Sequence, residues 1–209
     1  MATKKNKITV VDYGMGNLFN VTRALELLEC DVCLTGDINT IIKSEKLLLP
    51  GVGAFEDGMR DLKENNLDSA IKEYVQTDKP LLGICLGMQL LMTTSEENGN
   101  HDGLDLIKGK VVRFKDPKDH SNKYKIPQIG WNELLIAEKK QYSTRINTWD
   151  GSILDGLDKK PFMYFLHSYF VVPEDEQVYL AETSYGRDLF CSVVQKNQIF
   201  GCQFHPERS

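Results

Sequence analysis

A single cysteine stands between two glycines in Gly83-Ile84-Cys85-Leu86-Gly87, where the apolar run Leu81–Ile84 gives way to the helix-like stretch Leu86–Met92. A sharp strand-to-helix turn needs small flanking residues, because larger side chains collide with the neighbouring strand and helix, and it lifts its central residue out of the sheet. The unpaired N–H groups at the start of the following helix then favour the thiolate, the reactive form of cysteine. The pentapeptide alone is equally compatible with a packed thiol beside two close-packing glycines. A nucleophilic cysteine also needs a base, and the base an orienting group. Phe204-His205-Pro206-Glu207 offers both. If Ile199–His205 is a strand, His205 and Glu207 lie two residues apart and on one side, so the carboxylate can fix the imidazole tautomer. His101, His120 and His167 have no carboxylate at that spacing at a strand end.

A third element is Pro50-Gly51-Val52-Gly53, which follows the apolar run Leu47–Leu49. Two glycines around one small residue let backbone N–H groups face a developing oxyanion, together with the N–H of Leu86 after the nucleophile; a plain strand-ending turn is the simpler alternative. The loop Asp12-Tyr13-Gly14-Met15-Gly16-Asn17 also carries glycines after a strand, but it lacks the third glycine of a dinucleotide fingerprint and the lysine of a P-loop.

The elements that must hold these residues follow from periodicity. Ile8–Tyr13 reads as a strand, and Leu18, Val21, Leu25 and Leu28 recur at helical spacing behind Asn17 as a cap. Asp31–Thr35, Leu47–Leu49 and Leu81–Ile84 read as further strands, with helical stretches marked by Leu62, Leu67, Ile71 and Val75. Alternating strands and helices imply an α/β fold with a mostly parallel sheet covered on both faces. After about Gly103 the pattern changes to strand-like runs joined by turns: Val111–Phe114, Met163–Val172, Val178–Thr183, Phe190–Gln195 and Ile199–Phe204. Mixed or antiparallel strands added to the first sheet are expected there. Arg113–Lys125 is the most loop-like segment.

With 209 residues, 41% hydrophobic and 26% charged, the chain suits one sizeable domain spanning residues 1–209. A formal net charge of −5 gives no footprint for nucleic acid. No apolar run approaches the roughly 18 residues of a membrane span, and no segment resembles a signal peptide, so a cytoplasmic protein without membrane or nucleic-acid partners is expected. Five cysteines (Cys30, Cys33, Cys85, Cys191, Cys202) in apolar contexts fit a reducing compartment, and none of their spacings suggests a metal site.

Five motifs in order, PGVGAF (Pro50–Phe55), GICLGMQLL (Gly83–Leu91), PQIGWN (Pro127–Asn132), HSY (His167–Tyr169) and GCQFHPERS (Gly201–Ser209), resemble the class I, or triad, glutamine amidotransferases from Ile8 to Ser209. Within that group they look most like the glutaminase subunits of imidazole glycerol phosphate synthases. The resemblance implies a flavodoxin-like fold, Cys85 as nucleophile, His205 as general base and acid, and Glu207 as the orienting carboxylate. It also implies an oxyanion loop of Gly51, Val52 and Gly53 with Leu86, and Gln89, Glu97, Ser168 and Tyr169 as residues holding L-glutamine. No cofactor is implied. The expected partner is a (β/α)8-barrel synthase subunit in a heterodimer, docked near Met15–Asn17 and Gly53–Asp57 by the general rule for open α/β sheets. The chain departs from the family pattern at Gln128, where a histidine is usual, and at Phe190-Cys191-Ser192, where an alanine-rich run is usual; past the position of Ser209 the family usually continues into a final helix. Related subunits also supply ammonia to sugar-amidinating synthases of surface polysaccharides. A cysteine hydrolase or peptidase using the same elbow, and a regulatory module with a vestigial triad, are the readings from other classes.

Overall fold

The computed structural model of the protein describes residues 5–115, 117–119, 122–137, 148–158 and 160–209. His120 lies outside them. Strand β1 (Lys7–Val11) pairs in parallel with β2 (Asp31–Thr35) on one side and β3 (Leu47–Leu49) on the other, and β3 pairs in parallel with β4 (Leu81–Ile84). Val10 and Val11, and Leu48 and Leu49, are buried on opposite faces. Such runs without polar alternation are what a parallel sheet covered on both faces requires.

Helix α1 (Leu18–Leu27) is capped by Asn17, whose side-chain oxygen accepts the N–H of Asn20 at 3.4 Å. Its Val21, Leu18 and Leu25 pack on one face of the sheet with Val10, Leu48 and Ile84. On the other face α3 (Phe55–Glu64) and α4 (Leu67–Val75) bury Phe55, Met59, Leu62, Ile71 and Tyr74 against Val11, Leu47, Leu49 and Leu81. Helix α2 (Ile38–Lys43) was not expected from periodicity. Six residues with one buried side chain, Ile41, carry too little pattern, although the Asp37 carboxylate accepting the Thr40 N–H at 2.8 Å is a capping signal legible in the sequence. Helix α5 (Leu86–Leu90) is two residues shorter than the expected Leu86–Met92.

In the second half β5 (Gly109–Arg113), β6 (Gln128–Glu133), β7 (Phe162–His167), β8 (Tyr169–Pro173), β9 (Tyr179–Tyr185), β10 (Asp188–Lys196) and β11 (Ile199–Cys202) extend the fold. The sheet runs β2-β1-β3-β4-β11-β10-β8-β5 and ends in the short strands Thr94–Ser95 and His101–Asp102; β9 pairs with β10 beside this path. Strand β11 is parallel to β4, and β10, β8 and β5 follow antiparallel, as expected for added strands. The run expected as one strand over Met163–Val172 is instead two strands, broken at Ser168. Strand β7 pairs with β6 in a separate antiparallel ribbon, whereas β8 joins the large sheet. Continuous β-branched and aromatic character does not record a change of sheet. That break aims His167, Ser168 and Tyr169 at the C-terminal end of β4.

Candidate active site

Cys85 is the residue between β4 and α5, with φ +53° and ψ −110°. A non-glycine residue in this region stores roughly 1–3 kcal/mol of backbone strain and persists only where packing over-determines it. Here the packing is glycine against backbone. A Cβ on Gly83 would lie 2.7 Å from the Gly87 carbonyl, and one on Gly87 would run into the Leu49 carbonyl oxygen. The Cys85 N–H is held at 2.8 Å by the carbonyl of Cys202. Since the obstacle at Gly87 is backbone of a central strand, Gly87→Ala is expected to cost about 3 kcal/mol or more of folding stability. A urea midpoint in the variant within error of the parent's contradicts this reading of the elbow.

The Cys85 side chain is buried, and its Sγ lies 3.9 Å from the Leu166 carbonyl. His205, also buried, donates through Nδ1 to Glu207 Oε1 at 2.9 Å. A carboxylate cannot donate when ionised, so this bond fixes the proton on Nδ1 and turns Nε2 to the sulfur. Burial lowers the His205 pKa, but the hydrogen bonds and charges of Cys85 and Glu207 outweigh it and raise it to about 10. The imidazolium is therefore the favoured form between the sulfur and the carboxylate. Burial also pushes the Cys202 and Cys191 thiols well up, as expected of inert core cysteines. The strand alternation expected to align His205 with Glu207 is not what aligns them. Strand β11 ends at Cys202, and a 3₁₀ turn over Pro206–Arg208 swings Glu207 back under the ring.

A cavity of about 250 Å³ opens over the sulfur, lined by Val52, Gly53, Cys85, Leu86, Gln89 and Glu97 on one side and by Leu166, His167, Ser168, Tyr169 and His205 on the other. Every binding residue expected from sequence is on this wall. Of the expected oxyanion loop, Gly51 is not. It sits behind the elbow, where a Cβ would be 2.8 Å from the Gly87 N and from the Tyr13 hydroxyl. The Tyr13 hydroxyl donates to the Pro50 carbonyl at 2.8 Å and holds the loop's root. Gly53 adopts φ +104°, a conformation that favours glycine, and Val52 is partly exposed at the cavity rim. Glu97 Oε2 accepts the N–H of Phe55 at 2.7 Å and so joins the cavity wall to the start of α3.

Two further polar residues, not expected from sequence, stand at the site. The Nδ1 of His167 faces the Tyr169 carbonyl at 2.8 Å, and its Nε2 is buried with no hydrogen-bond partner among the described residues. Burial lowers its pKa to about 4, so it stays neutral with Nδ1 protonated and Nε2 as an acceptor. Gln203 is fully buried, and its Nε2 lies 3.7 Å from the Cys85 sulfur. The available signal was a glutamine inside an apolar strand end, two residues before His205. The expected partner site at Met15–Asn17 is at the same end of the sheet, where a Cβ on Gly53 would meet the Met15 side chain.

The arrangement can form an acyl-thioester with an amide that enters the cavity. Residues 9–209 match the family model described as glutamine amidotransferase class-I. The chain is 45% identical over 202 residues to the imidazole glycerol phosphate synthase subunit HisH of Geobacillus thermodenitrificans, covering 97% of this chain and 89% of that one. It is 43% identical to the subunit of the same name from Aquifex aeolicus, with 97% and 90% covered. Among solved structures, PurLQS from Thermotoga maritima matches with a TM-score of 0.69 at 19% identity, over 98% of this chain and 89% of that chain. A crystal structure of a glutamine amidotransferase matches at the same TM-score with 17% identity.

Proposed function

Because the chain belongs to the class I glutamine amidotransferase family, we propose that it is the glutaminase subunit of an imidazole glycerol phosphate synthase, releasing ammonia from L-glutamine for histidine biosynthesis. The observation that carries the chemistry is the buried Cys85, His205 and Glu207 line, with Nδ1 of the imidazole fixed on the carboxylate and the sulfur at the floor of the cavity. Cys85 thiolate attacks the side-chain amide carbon of glutamine, and the new oxyanion is met by the N–H of Leu86 and by the loop Gly51, Val52 and Gly53. His205, protonated at both nitrogens, gives its Nε2 proton to the departing ammonia. Water, deprotonated by the neutral imidazole, then hydrolyses the γ-glutamyl thioester to glutamate and free thiolate. Gln89, Glu97, Ser168 and Tyr169 hold the glutamine, with the Glu97 carboxylate suited to its ammonium group. Gly51 contributes through the loop's geometry from behind the elbow.

Ammonia released into water becomes ammonium and is lost as a nucleophile, so the reading requires a (β/α)8-barrel cyclase sealed over the cavity as a heterodimer. In support, the β6–β7 ribbon beside the cavity exposes an apolar face: Ile129 opposite Leu166, and Trp131 packed edge-on against Tyr164 opposite it. Such a patch at a cavity rim is what a protein partner covers. The Met15–Asn17 and Gly53–Asp57 loops would extend that interface. One domain over residues 1–209 is supported by the large sheet that takes strands from both halves. No helix among the described residues is long and apolar enough to cross a membrane, which accords with a cytoplasmic enzyme.

The two departures from the family pattern do not argue for another synthase. Gln128, Cys191 and Ser192 are all buried, so none faces a partner. Glutamate release from glutamine by the chain alone and with the barrel subunit plus its acceptor tests the assignment. Completing the oxyanion loop on docking is expected to stimulate the rate by about 10²–10³. An unchanged rate with Cys85 still labelled by a reactive glutamine analogue moves the chain to another synthase, with sugar amidination first to try. No labelling overturns the glutaminase.

A further inference from the structure

Four side chains and one backbone carbonyl form a hydrogen-bonded line from the cavity wall to the nucleophile. The Tyr169 carbonyl accepts Gln89 Nε2 at 3.0 Å and His167 Nδ1 at 2.8 Å. Gln89 Nε2 also donates to Gln203 Oε1 at 3.1 Å, and Gln203 Nε2 lies 3.7 Å from Cys85 Sγ. A peptide carbonyl can only accept, so the nitrogen of Gln89 must be the atom turned to Tyr169. That nitrogen can only donate, so Gln203 must offer its oxygen to Gln89 and its N–H to the sulfur. The direction of the whole line is thus set by one backbone group. Gln203 is fully buried, and its backbone N–H is anchored on the Ser192 carbonyl at 2.9 Å.

We propose that the side-chain amide of Gln203 is a hydrogen-bond donor that holds Cys85 as a thiolate, and that the Tyr169 carbonyl fixes it in that role through Gln89. The inference rests on Cys85 being the nucleophile. The groups facing the sulfur divide by effect. His205, backed by Glu207, stabilises the negative charge, as does Gln203. The Leu166 carbonyl at 3.9 Å accepts only and favours the protonated thiol. Tyr13 and Cys202 are buried next to the sulfur and are held neutral, and His167 on β7 is neutral too. Gln203 is therefore the one uncharged side chain among these that donates to the sulfur. One segment, Gln203–Glu207, then carries the donor, the base and the orienting carboxylate on consecutive odd-numbered residues.

The test is the pH profile of Cys85 alkylation by iodoacetamide in the full chain, which needs neither partner nor glutamine turnover. Gln203→Met keeps the volume and removes the donor. A hydrogen bond to a charged acceptor of this kind corresponds to a rise of about one pH unit in the midpoint, or tenfold slower alkylation below it. Gln203→Glu keeps the shape and the acceptor for Gln89 while replacing the donor with an oxygen. It is expected to raise the midpoint at least as far, which a space-filling role would not do. If Gln203→Met does not fold, Gln203→Glu decides. A parental midpoint in either folded variant overturns the proposal. In the complex, kcat should fall and KM for glutamine change less, because Gln203 does not line the cavity. Failure of the glutaminase reading would show separately, as absence of turnover by the parent chain.

Discussion

Replacing Cys85 with alanine is expected to reduce glutamine hydrolysis by the partner complex by about 10⁵ or more, down to what binding and the oxyanion donors supply without a nucleophile. Cys85 is the sole thiol on the cavity wall among the described residues, and the buried Cys202 and Cys191 have pKa values raised well above the usual thiol range, so neither can substitute. The variant should fold, since alanine keeps the Cβ and needs less room than cysteine at the same φ, and should still bind glutamine. The check is glutamate release at saturating glutamine alongside glutamine affinity measured by calorimetry. Retained turnover would mean that the elbow is a packing device and that the chemistry lies elsewhere.

His205→Asn should cost a comparable factor, about 10⁴–10⁵, because in the proposed mechanism the ring both stabilises the thiolate and protonates the leaving ammonia. Glu207→Gln should cost less, by roughly tenfold or more, since in that mechanism it orients the imidazole and takes no part in bond making. Equal losses at the two positions contradict that division. The ring's titration gives an independent reading. Burial alone lowers the His205 pKa, and Cys85 and Glu207 together raise it to about 10. Removing the sulfur in Cys85→Ala takes away the partner whose hydrogen bond and charge raise it, so the imidazole must titrate at lower pH in that variant. An NMR titration of the His205 ring in parent and Cys85→Ala chains measures the shift, and an unchanged midpoint refutes the ion pair.

The elements that carry the site follow local rules. The runs ITVV, LLL and LLGI form buried parallel strands because they are too apolar to alternate, and Asn17 and Asp37 cap their helices from within the sequence. The elbow is local as well: small residues at Gly83 and Gly87 are required where backbone packs on backbone, so the pentapeptide permitted the tight turn that the structure shows. Gln89, Glu97, Ser168 and Tyr169 were expected at the cavity from the family motifs, and all four line it.

What the sequence carried by itself is therefore the types of the candidate reactive groups and the succession along the chain of the runs that bear them, since both depend on residue type and short-range spacing. What only the tertiary structure decided is how those groups face one another. The break at Ser168, which sends β7 and β8 to different sheets, is invisible in a run of uniformly strand-forming residues. Glu207 reaches His205 through a 3₁₀ turn and not by strand alternation. The direction of the Tyr169, Gln89 and Gln203 hydrogen bonds depends on three segments that meet only in the fold, because an amide has two chemically different ends and nothing in its sequence position says which of them points at a sulfur.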